Sequence, residues 1–373
     1  MRKIMDSRLA MNEAESDALL VAFTGGGSAG HVTPNLALID AWSEEGGRSF
    51  YIGRANSVEA SLLEDYPQVE FCSIPSERLR RYFHWGNFIM PFIVIAGIIK
   101  STWILRRTRP KLLFSKGGFV ALPVVIGAWL NRIPVIIHES DGSLGLANRL
   151  SLPFTKLVCL GQERAKVNVK HGNIKVTGSP LRREFYNNNA QSAIEEYSLD
   201  PQKDLLLVFG GSLGARQINE TIWNSLGDLI QAYEVIHVVG RGNISINYQE
   251  QFAGQGYHQI EYVREGFADL LSAAHVVICR AGANAVAELI ALQKPALLVP
   301  LSSLSSRGDQ ALNASEFVAL GGGSMIENEL FTSEKLISAL QALESSYNQH
   351  VEALAKHTQS NSTQAIINIF KMV

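Results

Sequence analysis

Two glycine-rich stretches carry the first hint of chemistry in this chain of 373 residues: Thr24-Gly-Gly-Gly-Ser-Ala-Gly-His31 and Phe209-Gly-Gly-Ser-Leu-Gly-Ala-Arg216. Each lies between a short apolar run and a helical pattern. Glycine lets backbone N–H groups approach a phosphate closely, and the start of the next helix adds donors and the positive end of its dipole. Ser212 supplies a hydroxyl to the second loop. His31, just past the first, is a candidate general base or acceptor contact. The same residue types also serve a fold, because tight βα turns are glycine-rich for steric reasons and a histidine there often bonds a neighbouring carbonyl. Neither loop reads G-x-G-x-x-G with an acidic residue about 20 positions on, and neither ends in Gly-Lys-Ser/Thr. Dehydrogenase and Walker-type ATPase readings are weakened accordingly.

Three more stretches fall at the ends of predicted strands, where open α/β sheets bind their ligands. His138-Glu-Ser-Asp141 leads into Gly145-Leu-Ala-Asn-Arg149. Arg280-Ala-Gly-Ala-Asn-Ala-Val-Ala-Glu288 places a carboxylate within a helix, suited to a ribose diol or simply to solvent. Arg307-Gly-Asp-Gln-Ala-Leu-Asn313 puts Gln310 and Asn313 on one helix face, suited to sugar hydroxyls or to capping their own helix. Glu139 and Asp141 are expected to share a cleft with His31.

A basic and aromatic cluster, Arg78, Arg80, Arg81, Tyr82, Phe83, Trp85, Phe88 and Phe92, runs into the longest apolar segment, residues 88–99, and Arg106, Arg107, Arg109 and Lys111 close it. That segment falls short of the roughly 20 residues a membrane span needs. It reads as a monotopic contact with anionic lipid through Arg80, Arg81, Trp85, Phe88 and Phe92, or else as a core helix with solvated basic ends.

The elements that must position these residues alternate between strand and helix. Strands are predicted at 19–24, 49–52, 112–115, 135–137, 157–160 and 175–177, then at 205–209, 235–239, 259–263, 276–279 and 296–300. Most are continuous apolar runs, as in parallel strands buried on both faces. Each half opens on strand, glycine loop and helix, so the fold class is α/β with two Rossmann-like domains. The turn residues Gly178-Ser-Pro180 and the tract Asn187-Asn-Asn189 mark the break. The expected division is an extension at 1–18, a first domain at 19–183, a second at 184–345, and a helical tail at 346–373 that packs back on the first.

Composition sets outer bounds. A formal net charge of −2 gives no sign of bulk nucleic-acid binding. The three cysteines, Cys72, Cys159 and Cys279, lie far apart in apolar contexts, which speaks against a disulfide framework or zinc site and for a reducing compartment. Acidic residues from Asp6 to Asp17 stand where a signal peptide needs an apolar run. The chain is expected in the cytosol.

Gly26-Gly-Ser-Ala-Gly-His-Val-Thr-Pro34, Lys116-Gly-Gly-Phe119, His138-Glu-Ser-Asp141, Thr177-Gly-Ser-Pro180 with Arg182, Gly210-Gly-Ser-Leu-Gly-Ala215, and Asp309-Gln310 with Asn313-Ala314 follow one another in that order. In this the chain resembles the MurG family, the peptidoglycan N-acetylglucosaminyltransferases, from residue 19 to the end. The resemblance implies a GT-B fold, with two domains facing across a cleft and no cofactor or bound metal. It implies inverting transfer of GlcNAc from UDP-GlcNAc to undecaprenyl-pyrophosphoryl-MurNAc-pentapeptide (lipid I), giving lipid II at the cytoplasmic face of the bacterial membrane. Partners would be the donor, the lipid-linked acceptor, an anionic membrane touched peripherally and other cell-wall synthesis proteins, with no nucleic acid.

Carried over by position, Ser28, Ala29 and Gly30 would touch the donor, with Asp141 near its sugar. Arg182 and Ser212 would take its phosphates. Ala283, Asn284, Ala285, Val286, Ala287 and Glu288 would hold diphosphate and ribose, Gln310 the GlcNAc hydroxyls, and the backbone near Arg264 the uracil. His31 is the candidate base or acceptor contact, and Glu139 a second catalytic candidate. The chain departs from the family's common residues at Ser28, Leu213, Asp141, Ser143-Leu144 and Gly308, which bears on individual contacts more than on the reaction. Two other readings compete: a different GT-B transferase with a lipid or natural-product acceptor, and a catalytically silent nucleotide-sugar-binding protein.

Overall fold

The computed structural model describes residues 19–77, 86–211, 213–263, 265–301, 308–357 and 361–373, with side chains omitted at 86–89 and 168. It divides into two units. The first runs to Glu139 and includes Leu144–Pro180 and Thr363–Val373; the second comprises Ser140–Ser143 and Leu181–Ser362.

The first unit is built on a seven-stranded sheet of order β3-β2-β1-β4-β5-β6-β7, all neighbours parallel. Its strands are β1 (Leu20–Thr24), β2 (Arg48–Gly53), β3 (Glu70–Ser73), β4 (Leu112–Ser115), β5 (Val135–Glu139), β6 (Leu157–Leu160) and β7 (Ile174–Val176). The second unit has six strands, β8 (Asp204–Phe209), β9 (Tyr233–Val238), β10 (Tyr257–Ile260), β11 (Val276–Cys279), β12 (Ala296–Leu298) and β13 (Gly323–Met325), in the order β10-β9-β8-β11-β12-β13, again parallel throughout. In both sheets the first strand in sequence lies centrally and the order reverses beside it, at β1/β4 and β8/β11. That switch point is where a crevice opens at the carboxyl ends of the strands, and both glycine loops emerge there.

Two strands were not foreseen, β3 and β13. Both are sheet edges, and neither is fully buried, so neither shows the apolar run that marks the central strands. Each sheet has its own core on either face.

The chain end also differs from the expected tail. The helix Tyr347–Ala355 belongs to the second unit, where Leu354 joins the core. The last helix, Ser362–Met372, supplies Ile366, Ile367, Ile369 and Phe370 to the first unit's core. Phe370 meets Phe114, Trp42 and Phe23 edge-on, with ring centroids 5.4, 5.8 and 6.0 Å away.

The apolar segment 88–99 forms part of the helix Gly86–Thr108. One side packs inward through Ser101, Ile104 and Leu105. The other leaves Phe92, Ile95, Ile99 and Trp103 exposed, by 72%, 52%, 64% and 53%, as one helical stripe, with Arg107 stacked over Trp103. Among the described residues no helix is long and apolar enough to cross a membrane. Cys159 and Cys279 are buried and Cys72 partly so; burial pushes the Cys72 and Cys159 thiols up to about 12.

Candidate active site

In the first unit the glycine loop is fixed from below by buried polar groups. Asn35, fully buried, donates to the Thr24 carbonyl at 3.1 Å and to the Tyr51 hydroxyl at 3.0 Å, and Tyr51 donates to the Gly25 carbonyl at 2.7 Å. The Lys116-Gly-Gly-Phe119 turn clasps the loop from the side. Gly26 N–H donates to the Gly117 carbonyl, and a Cβ on Gly118 would come within 2.1 Å of the Gly26 oxygen. Gly118 has φ +83° in addition, so only glycine fits there.

Beyond the loop the helix Ala29–Glu44 begins, with Ser28 at its N-cap. The Ser28 hydroxyl lies 2.8 Å from His31 Nδ1. That contact orients the ring on its Nδ1 side.

Lys116 and His138 form a buried pair at the ends of β4 and β5. Lys116 Nζ is 2.8 Å from His138 Nδ1, and His138 Nε2 is 2.8 Å from the Gly178 carbonyl. A carbonyl only accepts, so Nε2 carries the proton. Burial, aided by the Lys116 ammonium, holds the ring neutral far below its usual pKa, so Nδ1 accepts from Lys116. Glu139 is buried next in line. Its Oε2 accepts the Gly145 N–H at 2.8 Å and the Asn148 amide at 3.0 Å, tying β5 to the start of the helix Leu146–Ser151.

In the second unit Arg182 pairs with Glu184 at 2.6 Å and stacks over Phe185. Its charge also reaches Glu288 in the helix Ala283–Ala291. Burial pushes the Glu288 carboxyl up to about 8, with Arg182 pulling it down and Glu184 raising it further. The same helix starts at Gly282, where an added Cβ would meet nothing within 4 Å among the described residues. Ala283, Asn284 and Ala285 therefore present the helix's first amides at an open edge, with Val286 and Ala287 in the turn that leads to Glu288.

Gln310 uses its Oε1 to accept the Leu301 N–H at 2.9 Å. Asn313 donates to the Ala281 carbonyl and to Asp141, each at 3.1 Å, and Ser143 donates to Asp309 at 3.1 Å. Thus Asp141 is held on the helix Asp309–Ala319, beside the turn before residues 283–288. The second glycine loop stands between β8 and the helix Arg216–Ala232. Gly214 has φ +76° and abuts the Val239 carbonyl, while Leu213 is 82% exposed.

The structure therefore gathers Arg182, Glu288 and residues 283–287 in one cluster and joins Asp141 to Asn313. Ser28 and His31 form a separate group in the first unit, with Ala29 and Gly30 in the same helical turn. Arg80, Arg81, Trp85, Ser212 and Arg264 lie outside the described residues, and of Phe88 only the helical backbone is described. The scaffolding residues Asn35 and Tyr51 carried no signal in the sequence, since each stands inside an ordinary helix or strand pattern.

Two Rossmann-like units, each with a glycine loop at the carboxyl end of its first strand, give the GT-B fold. Residues 21–159 match the glycosyltransferase family 28 N-terminal domain, and residues 205–369 the glycosyltransferase family 28 C-terminal domain. The chain is 46% identical over 322 residues to the UDP-N-acetylglucosamine–N-acetylmuramyl-(pentapeptide) pyrophosphoryl-undecaprenol N-acetylglucosamine transferase of Legionella pneumophila (strain Lens), covering 86% of this chain and 88% of that one. It is 42% identical over 351 residues to the protein of the same name from Clostridium kluyveri, covering 94% and 98%. Among solved structures, Acinetobacter baumannii MurG superposes with a TM-score of 0.77 at 22% identity, over 95% of this chain and all of that one, which shows the shared fold. The chain belongs to the MurG family of peptidoglycan N-acetylglucosaminyltransferases.

Proposed function

We propose that this enzyme transfers GlcNAc from UDP-GlcNAc to lipid I, forming lipid II with inversion at the anomeric carbon. The observation that carries the reading is kinship along nearly the whole chain, at 42–46% identity, with transferases of that activity. In the reaction the MurNAc hydroxyl oxygen attacks the anomeric carbon as its proton passes to a base. The bond from that carbon to the β-phosphate oxygen breaks, and UDP departs.

The geometry supports a division of labour. Arg182 acts electrostatically on Glu288 in the helix Ala283–Ala291, so a diphosphate bound at the start of that helix gains a nearby cation and a helix N-terminus. That arrangement stabilises the charge that grows on the leaving group. Glu288 accepts the ribose hydroxyls, Ser212 adds a phosphate donor, and the backbone near Arg264 meets uracil. Asp141 and Gln310 lie on the sugar side. Ser28, Ala29 and Gly30 open the first unit's helix toward the substrates. His31, braced by Ser28, is the base or acceptor contact. Glu139 serves by holding the turn at Gly145 in place.

The exposed stripe Phe92, Ile95, Ile99 and Trp103, followed by Arg106 and Arg107, supports peripheral contact with an anionic membrane that carries the acceptor. Cell-wall synthesis proteins at that membrane are further partners. The deciding experiment is UDP release from UDP-GlcNAc with a lipid I analogue, run against alternative UDP-sugars. Binding of UDP-GlcNAc with no release would reduce the protein to a nucleotide-sugar binder. Release driven equally well by unrelated lipid acceptors would favour a different GT-B transferase.

A further inference from the structure

Glu59 lies in the short helix Val58–Leu62, outside every motif discussed so far, and is completely buried. Its Oε2 accepts the Gly27 N–H at 3.3 Å, and its Oε1 accepts the Arg54 N–H at 3.2 Å. A Cβ on Gly26 would stand 2.5 Å from the carboxylate carbon and from Oε1. The loop thus lies directly on the carboxylate, and the bare backbone of Gly26 is what permits the approach. Among the described residues Glu59 forms no ion pair; its hydrogen bonds come from backbone amides.

Phosphate-binding loops close their amide groups around a bound anion. This loop instead gives its Gly27 amide to a carboxylate of its own chain and lays Gly26 against it. Two consequences follow. The amides of Gly26 and Gly27 are already used, the first by the Gly117 carbonyl and the second by Glu59. A negative charge beneath these positions also repels a phosphate from the loop interior, since charges a few ångströms apart in a weakly polarisable setting interact strongly. Burying a carboxylate is costly unless it is well hydrogen-bonded, so a neutral residue would be the simpler filler if packing alone were needed.

We infer that Glu59 is a positioning residue: a built-in anion that holds the first glycine loop closed and directs the acceptor's pyrophosphate past the loop to the helix start at residues 28–31. The inference rests on the transfer reaction proposed above. It concerns how the loop is held and where its ligand sits, and Glu59 itself touches no substrate.

The test compares Glu59→Gln, which is nearly isosteric, with Glu59→Ala. Glutamine has one acceptor oxygen for two amides, so kcat/KM for a lipid I analogue should fall about tenfold or more. The Kd for UDP, measured by calorimetry, should stay within about twofold, because the donor cluster lies in the other unit. In Glu59→Ala, added formate should raise the residual rate at least about threefold by refilling the anion position, and leave wild type unchanged. If Glu59→Ala does not fold in a thermal melt, the glutamine variant carries the test. Wild-type acceptor kinetics in Glu59→Gln, a parallel loss of UDP affinity, or a folded Glu59→Ala that formate does not rescue would each overturn the inference. Absence of turnover in wild type would instead sink the reaction itself, so the two failures are distinguishable.

Discussion

The two glycine loops occupy equivalent places in two similar sheets, yet they are built differently. The first is gripped on every side: Tyr51 holds the Gly25 carbonyl, Gly117 takes the Gly26 amide, Glu59 takes the Gly27 amide, and Phe119 presses on Gly27. The second is held where a Cβ on Gly210 would strike Ala215, where Asn243 donates to the Leu213 carbonyl at 3.0 Å, and where Gly214 meets Val239 and Gly240, while an added Cβ on Gly211 would meet nothing within 4 Å among the described residues. The same glycine-rich letters therefore support a loop gripped by side chains of its neighbours in the first unit and one with open backbone at Gly211 in the second.

The strongest way to break this contrast is to separate the halves kinetically. His31→Ala should lower kcat by about 100-fold or more, the usual scale for losing a positioned proton acceptor, while the Kd for UDP stays within about twofold. If UDP affinity falls with kcat, the first loop is not the acceptor side.

A pair of small substitutions sharpens the point. Gly118→Ala drives a methyl group into the Gly26 carbonyl at positive φ and should cost about 3 kcal/mol of stability in urea denaturation. Gly282→Ala adds its methyl to open space at φ −67°, so the fold should tolerate it. UDP affinity should nonetheless drop about tenfold, because the methyl occupies the approach to the helix amides. Normal UDP binding in Gly282→Ala would move the diphosphate elsewhere.

The cluster of Arg182 and Glu288 also makes a prediction about pH. With the Glu288 carboxyl raised to about 8, it is largely protonated at neutral pH in the free protein. Ribose hydroxyls donate to the ionised form, so UDP affinity should rise several-fold between pH 6.5 and 8.5. Glu288→Gln should bind more weakly and flatten that profile in calorimetric titrations.

The smallest effect is one the two units share. His138 is held neutral beside Lys116, and His237, pushed down to about 3 by burial, accepts from Tyr257 and donates to Asn219. Both folded-state values lie below the ordinary 6.5, so the unfolded chain takes the proton first on acidification. The stability present above pH 6.5 is lost as pH falls, by about 2 kcal/mol at pH 5 for His237 and in the same direction for His138. Denaturation at pH 7 and pH 5 should show the loss, and His237→Gln should remove its share in the second unit.

Much of this architecture could be read directly from the chain. Buried parallel strands announce themselves as apolar runs, so β1, β4, β6, β8 and β11 were legible nearly to the residue. The edge strands β3 and β13 were not, because half-exposed strands lose that signature. The long basic-aromatic helix was legible as amphipathic material, but which face would be left bare depended on Ser101 and Leu105 turning inward.

By itself the sequence determined the α/β class, the repeated strand–loop–helix opening of each half, and the ordered motifs that place the chain in its family. Those rest on local periodicity, turn chemistry and residue spacing, which one dimension records. The tertiary structure alone decided which side chains hold the loops. Glu59 reaches Gly27 from the helix after the neighbouring strand, Lys116 meets His138 from the next strand, and burial raises the Glu288 carboxyl against the pull of Arg182. Such pairings depend on the order of strands in the sheet and on burial, which disfavours unpaired charge and fixes each proton. No spacing along the chain encodes them.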